Sequence, residues 1–324
     1  FGILDSSEPE DRFGLALAGG DFNGDTRSDL AIGVPNEDVG SIDSAGAVQV
    51  LYGVAQIGLS STGDQFWTQN SFEGFIEIAE EAEDGDRFGA SLAAGNFNND
   101  SGGSDDLAIG VPSEDVQLTT VVEITDAGAV NVIYGSQSQG GLSVIDNQLW
   151  TQESPGIQDS AEEGDKFGSA LAAGNFNGQA GSDLAIGVPR EDVGNIVDAG
   201  AVNIIYGFTG VGLHNGNSSP RIVSQEDKFI TQGTHNISEV PEEGDQFGSS
   251  LTMWNFGNGA PADLAIGVHL EDIGLLENAG AVHVLYGPGS SDENFIFVNQ
   301  LWTQSVTGIA DTVEAGDAFG AALY

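Results

Sequence analysis

The sequence predicts an all-β chain, a β-propeller of four-stranded blades, on three observations. The first is an internal repeat. Residues 13–35, FGLALAGGDFNGDTRSDLAIGVP, return as residues 88–112, 167–189 and 247–269, and a fifth copy starts at Phe319. The second is period. The residue before each Phe-Gly falls at 12, 87, 166, 246 and 318, so the units run 75, 79, 80 and 72 residues. The third is pattern: each unit holds four short runs of strand character, and no 3.6-residue helical pattern lasts three turns.

In the first unit, residues 13–22 read as a strand kept thin by Ala16, Ala18, Gly19 and Gly20, as crowding near a propeller axis demands. Residues 21–29 read as a loop. Leu30, Ile32 and Val34 alternate with Ala31 and Gly33, a second strand. A polar connection, 35–44, leads to a third strand at 45–53, AGAVQVLYG. A Gly/Ser-rich loop and a short fourth strand at 65–69, QFWTQ, follow. The acidic stretch 77–86 then enters the next copy. The blades are placed at about 13–69, 88–152, 167–232 and 247–304, within one region 1–324, with 319–324 starting a further blade. A β-solenoid is the runner-up, but its rungs are usually shorter, roughly 20–30 residues.

Composition narrows the function. Fifty acidic against seven basic side chains give a formal net charge of −43. Phosphate backbones need Lys and Arg, so nucleic acid is excluded as a partner. Direct membrane insertion is not expected either, since no run of about 18 apolar residues occurs. Two readings of the charge stand: a life among divalent cations or high salt, or solubility alone. With no Cys, the redox compartment is undetermined. No signal peptide is visible, and a start at Phe1 reads as a mature or trimmed chain.

The repeated residues resemble the FG-GAP repeat of integrin α-subunit propellers and of many bacterial secreted proteins. "FG" is Phe13-Gly14 and its copies; "GAP" is written Gly33-Val34-Pro35, Gly110-Val111-Pro112 and Gly187-Val188-Pro189, with Gly267-Val268-His269 departing at the Pro. The VPxEDVG and AGAVNVIYG segments look more like a bacterial branch. The resemblance implies a propeller, Ca²⁺ in the loop between first and second strands, and extracellular adhesion or recognition. It fixes no ligand. Family propellers commonly have seven blades, so four blades plus one strand read as part of a larger ring; a small ring with a displaced strand, or completion by another chain, are the alternatives.

The first loop carries the chemistry. Asp21, Asn23, Asp25 and Asp29 put side-chain oxygens at loop positions 1, 3, 5 and 9, and Arg27 at position 7 offers a carbonyl. Ca²⁺ takes six to eight oxygens, and alternation on a tight loop aims them at one centre. The spacing is not that of an EF-hand, and Asn/Asp/Gly clusters also make ordinary turns. In the second loop Asn96, Asn98 and Asp100 remain, and alignment on DLAIG picks Asp106 over Asp105 for the last place. The third keeps Asn175, Asn177 and Asp183 but has Gln179 for the middle acid. The fourth keeps Asn255 and Asp263, with Gly257 and Gly259 between. Fewer carboxylates weaken Ca²⁺ binding, so the expected order of affinity is first, second, third, fourth.

Other motifs read as architecture. The pairs Glu37-Asp38, Glu114-Asp115, Glu191-Asp192 and Glu271-Asp272 recur in every unit, so a turn or solvated rim is expected rather than one acid–base site; a second cation site is the sharper alternative. The acidic runs before each Phe-Gly read the same way. Trp67, Trp150 and Trp302 are expected to pack between blades, with Ile230 in the same slot, and Trp254 in a core. A sugar platform is the alternative for the first three. The four His fit no metal spacing. Asn99, Asn217 and Asn236 begin Asn-x-Ser sequons. The sequence thus suggests a non-enzymatic, Ca²⁺-binding propeller, secreted or at a cell surface, that binds or adheres to an undetermined protein or glycan. A structural subunit self-associating through open blade edges, or a propeller within a secreted hydrolase, are the other readings.

Overall fold

The computed structural model describes residues 4–119, 121–214, 227–257, 259, 261–287 and 298–323. All regular structure is β, and among the described residues there is no helix. The chain falls into two compact units: Phe1–Glu153 with Ala161–Gly168, and Ser154–Ser160 with Ser169–Tyr324. Each holds two four-stranded antiparallel meanders, the sheet of a propeller blade.

Sheet 1 of the first unit runs β1 (Leu17–Gly20), β2 (Asp29–Val34), β3 (Ala47–Val54) and β4 (Gly58–Trp67) in spatial order. A small hairpin, β5 (Phe72–Glu73) and β6 (Ile76–Glu77), follows it. Sheet 2 is β7 (Ser91–Gly95), β8 (Asp106–Val111), β11 (Ala129–Ser136) and β12 (Gly141–Trp150). A second hairpin, β9 (Val116–Thr119) and β10 (Val122–Ile124), lies between β8 and β11. In the second unit, sheet 3 is β13 (Ala170–Gly174), β14 (Asp183–Val188) and β15 (Ala201–Phe208). Its fourth strand is split into β16 (Gly212–His214) and β17 (Lys228–Ile230), both paired with β15. Sheet 4 is β18 (Ser250–Trp254), β19 (Asp263–Val268), β20 (Ala281–Leu285) and β21 (Asn299–Trp302).

The strands differ from expectation in two places. The first strand starts later than Phe13, because Gly14 adopts φ 87° and turns the chain before the ladder begins. The fourth strand is longer: β4 and β12 take in the Gly/Ser-rich loop, through a register shift opposite β3 and β11. A bulge absorbs the extra residues and keeps Tyr52 and Tyr134 paired in the ladder.

The middle strands are buried on both sides, as DLAIGV composition requires. The repeated glycines make the joint between successive sheets. A Cβ on Gly33 would lie 2.1 Å from the Gly89 carbonyl oxygen, and one on Gly46 would lie 2.4 Å from that of Phe88. The "GVP" and "AGAV" glycines are therefore the slot that receives the next Phe-Gly. Phe88 N–H donates to Ala45 O at 2.9 Å and its ring is fully buried, worth about 2–3 kcal/mol. The same seating repeats for Phe167 on Gly128, Phe247 on Gly200 and Phe319 on Gly280. The last copy takes its seat as a turn, with no strand over 319–323; Tyr324 lies outside the described residues.

Trp67 and Trp150 are buried, and Ile230 fills the matching slot, as expected. Trp302 is 37% exposed, and Trp254, expected in a core, is 72% exposed. Trp254 occupies the place of Gly20, Gly95 and Gly174 at the end of the first strand. At Gly20 and Gly174 a Cβ would meet residues of the next sheet, Ala94 and Met253, at 3.1 Å, whereas among the described residues no further sheet covers Trp254. Asn99 and Asn236 are exposed, whereas Asn217 lies outside the described residues.

Candidate functional site

The loop after each first strand is organised by side chains that accept their own backbone. In the first, Asp25 N–H donates to Asp21 Oδ1 at 3.0 Å and to Asn23 Oδ1 at 2.9 Å. Thr26 N–H donates to Asp21 Oδ2 at 2.6 Å. Loop positions 1 and 3 thus bring oxygens to one point. Asp25 accepts Arg27 N–H on Oδ1, and the Arg27 guanidinium pairs with Oδ2 at 2.9 Å. Arg27 therefore meets the middle carboxylate with its side chain. The second loop repeats the convergence: Asp100 N–H donates to Asn96 Oδ1 at 3.2 Å and to Asn98 Oδ1 at 2.9 Å.

The third and fourth loops close differently. Gln179 N–H still donates to Asn177 Oδ1 at 2.7 Å. Asn175, however, turns its amide nitrogen to the Gln179 carbonyl, and Asn255 does the same to Gly259. The first side chain there donates through N–H groups that Asp lacks, and Asn255 also accepts Gly257 N–H on Oδ1 at 2.8 Å. Asn175 Oδ1 is left buried with no hydrogen-bond partner.

The last aspartate of the loop is an anchor. Asp29, 2% exposed, accepts Phe22 N–H at 2.9 Å and Gly53 N–H at 2.8 Å. Asp106, Asp183 and Asp263 hold the equivalent amides, including Gly135 and Gly207 on the third strands and Gly287 just beyond β20. Burial raises Asp106 and Asp183 to about 7 despite those bonds. The anchor persists in sheet 4, whose loop keeps Asn255 but has Gly257 and Gly259 at the next two oxygen positions. Asp105, the residue the alignment set aside, also has a part: its Oδ2 accepts Asp21 N–H at 2.8 Å, tying the second loop to the first.

Position 9 of the first loop thus faces amides, positions 1 and 3 converge on the Asp25 amide, and the position-5 carboxylate is held by Arg27. Among the described residues, the acidic trio with carboxylate oxygens within 4.8 Å of one another is elsewhere: Glu83, Asp115 and Glu123. It belongs to the opposite end of sheet 2.

At that end the expectation of a solvated rim is corrected. Glu37, Glu114, Glu191 and Glu271 are 5%, 3%, 1% and 2% exposed. The aspartates that close the acidic runs, Asp11, Asp86, Asp165 and Asp245, are buried with them. Gln69 Nε2 donates to Glu114 Oε2 at 2.5 Å, and Gln232 Nε2 to Glu271 Oε2 at 2.5 Å, each reaching from the preceding sheet. Desolvation, then the neighbouring Asp86, raises Glu114 to about 9; desolvation and Asp245 raise Glu271 to about 8. The partner of each Glu behaves as a turn former. Asp38, Asp115, Asp192 and Asp272 accept the amides of Ser44, Asp126, Asp198 and Asn278, residues held at φ 51–56°. The sequence signal for this burial was present: a glutamine follows Trp-Thr, or Ile-Thr, in every unit.

No helix of the described residues is long and apolar enough to cross a membrane. Residues 13–51 match the FG-GAP repeat model. Over 184 residues, 56% of this chain, the sequence is 33% identical to the phosphatidylinositol-glycan-specific phospholipase D of Homo sapiens, and over 188 residues it is 31% identical to that of Bos taurus. It is 32% identical over 181 residues, 55% of the chain, to Integrin alpha-PS2 of Drosophila melanogaster. The match spans 19% of the length of each of the two phospholipases and 10% of the integrin subunit. The stretch with the Phe-Gly start, acidic loop and Gly-Val-Pro strand of the first sheet lies within the residues that match the FG-GAP repeat, and the same frame returns in the other three sheets.

Proposed function

We propose that the chain is a calcium-stabilised, non-enzymatic binding module of the extracellular space or cell surface. The observation that carries this reading is the first loop, where Asp21 and Asn23 aim oxygens at one amide beside Asp25. A set of carboxylate and amide oxygens with no nitrogen or sulfur ligand suits a hard cation such as Ca²⁺. The unpartnered Asn175 Oδ1 supports a weaker site in the third loop. Asp21, Asn23 and Asp25 would hold the ion in the first loop, and Asn96, Asn98 and Asp100 in the second. Asp29 and Asp106 would fix the loop beneath it. The ion supplies positive charge that offsets the acidic surface. The integrin likeness favours adhesion, and the bacterial-type wording of VPxEDVG is part of the same reading.

A second reading is carried by the phospholipase D likeness: a propeller region within a larger secreted hydrolase. The repetition of every acidic pair in all four sheets favours the module. Thermal unfolding with excess Ca²⁺ and with chelator tests the calcium claim. Calcium is expected to raise the midpoint, and Asp21→Ala with Asp25→Ala to remove most of the rise. A midpoint indifferent to Ca²⁺ contradicts it.

A further inference from the structure

By sequence Asp105 belongs to the second loop, one residue before its anchor Asp106. In the structure it lies on the first. Asp105 N–H donates to Asp21 O at 2.8 Å, and Asp21 N–H donates back to Asp105 Oδ2 at 2.8 Å. Asp21 leads the first loop, and its carboxylate gathers the amides of Asp25 and Thr26. Gly20 makes the approach possible: a Cβ there would lie 3.0 Å from Asp105 Cβ. Sheet 2 and its loop reach the first loop at further points. Ser136 N–H donates to Phe22 O at 3.2 Å, and Gln137 Nε2 to Gly24 O at 3.1 Å. Ser104 Oγ, fully buried and without a partner among the described residues, lies 2.8 Å from where a Gly24 Cβ would stand. Residues 21, 22 and 24 are thus held from outside, and Asp105 brings a charge to that hold.

The second unit supplies the contrast. Ala262 stands one residue before the anchor Asp263, and its N–H donates to Asn175 O at 2.8 Å. The main-chain bond is the same, but Ala262 has no side-chain oxygen to answer with. Asn175, which leads that loop, turns its amide nitrogen to the Gln179 carbonyl. The architecture therefore needs only the backbone bond, and the Asp105 carboxylate is an addition to it. The addition is unfavourable by itself, because Asp105 is half-buried beside the Asp21 carboxylate, which repels it. Two like charges held together favour a cation beside them. We propose that Asp105 is a positioning residue for the cation site of the first loop. It fixes Asp21 through the main chain, so that the leading carboxylate is aimed before an ion arrives, and its charge deepens the negative potential there. Groups that hold a metal ligand from behind typically set tenfold to a hundredfold in affinity. The inference rests on the calcium reading and adds to it a residue that serves a loop other than its own.

The test follows the Asp25 and Asp100 amides by NMR while the full chain, unaltered or carrying Asp105→Asn, is titrated with calcium at neutral pH. That substitution keeps an acceptor for the Asp21 amide and removes only the charge. The first loop is expected to bind about tenfold more weakly and the second to change by less than about threefold. The thermal midpoint in chelator is expected to hold or rise, since repulsion from Asp21 is relieved; a residue with a merely structural part would lower it. Added salt is expected to shrink the tenfold difference. Should the variant fail to fold, Ala262→Asp is read at the Gln179 amide, where the third loop is expected to tighten severalfold. An unaltered chain whose first loop takes no calcium ends the calcium reading and this inference with it. Equal binding by the unaltered and substituted first loops, an equal loss in both loops, a midpoint that falls in chelator, a difference indifferent to salt, or a third loop unmoved by Ala262→Asp overturns this inference alone.

Discussion

Two carboxylates in each sheet are buried for different reasons, and substitution separates them. The anchor aspartate gives up solvation to hold two or three amides that would otherwise be orphaned at the joint of loop and third strand. Removing it leaves those donors unpaired, at a cost of about 1–3 kcal/mol or more. Asp263→Ala is therefore expected to destabilise as much as Asp106→Ala in chelator, although the fourth loop has Gly257 and Gly259 where the second has Asn98 and Asp100; chemical denaturation reads this. The buried glutamate behaves oppositely with pH. Glu114 is raised to about 9 from an ordinary 4.5, so the folded chain holds its proton more tightly than the unfolded one. The stability this gives is complete below about pH 4.5 and is lost as pH climbs through 9. Glu114→Gln has no proton to lose and is expected to flatten the decline between pH 5 and 9. Of these residues, the loop oxygens were legible from their spacing. The burial of Glu114 was missed: Glu-Asp beside polar residues looks like a solvated turn, and its one signal, the repeated glutamine after Trp-Thr, sits 45 residues away at Gln69.

At the scale of the element, the repeat is a lock between sheets. The glycines of the second and third strands are absent side chains, and the Phe-Gly of the next copy fills the space they leave. Gly33→Ala would put a methyl 2.1 Å from the Gly89 carbonyl oxygen, a backbone atom that cannot swing aside. A loss of about 3 kcal/mol is expected, the upper part of the usual range for overpacking. Gly40→Ala is the control: its Cβ meets nothing within 4 Å, so only the strain of φ 71° remains. Second and third strands were legible because DLAIGV and AGAV carry clear patterns. The start of the first strand was not, since a hydrophobic Phe before a thin strand looks continuous with it while Gly14 at positive φ turns the chain. The fourth strand was underread because glycine and serine, elsewhere loop formers, here ride a bulged edge.

For the whole molecule, the account joins a scaffold present four times to a chemistry that fades. The first unit holds the two loops whose leading side chain accepts, and the second unit holds the two whose leading asparagine donates. Calcium at a hundred times its Kd adds about 2.7 kcal/mol for each site filled. Chelation is therefore expected to speed hydrogen exchange in sheets 1 and 2 well before sheets 3 and 4. The most direct measurement is a site-resolved calcium titration of the full chain, following the amides of Asp25, Asp100, Gln179 and Gly257 by NMR. The account predicts saturation in that order, with Gly257 unmoved and Asp25→Ala abolishing the first transition alone. Four loops that fill together, or none that fills, would contradict it.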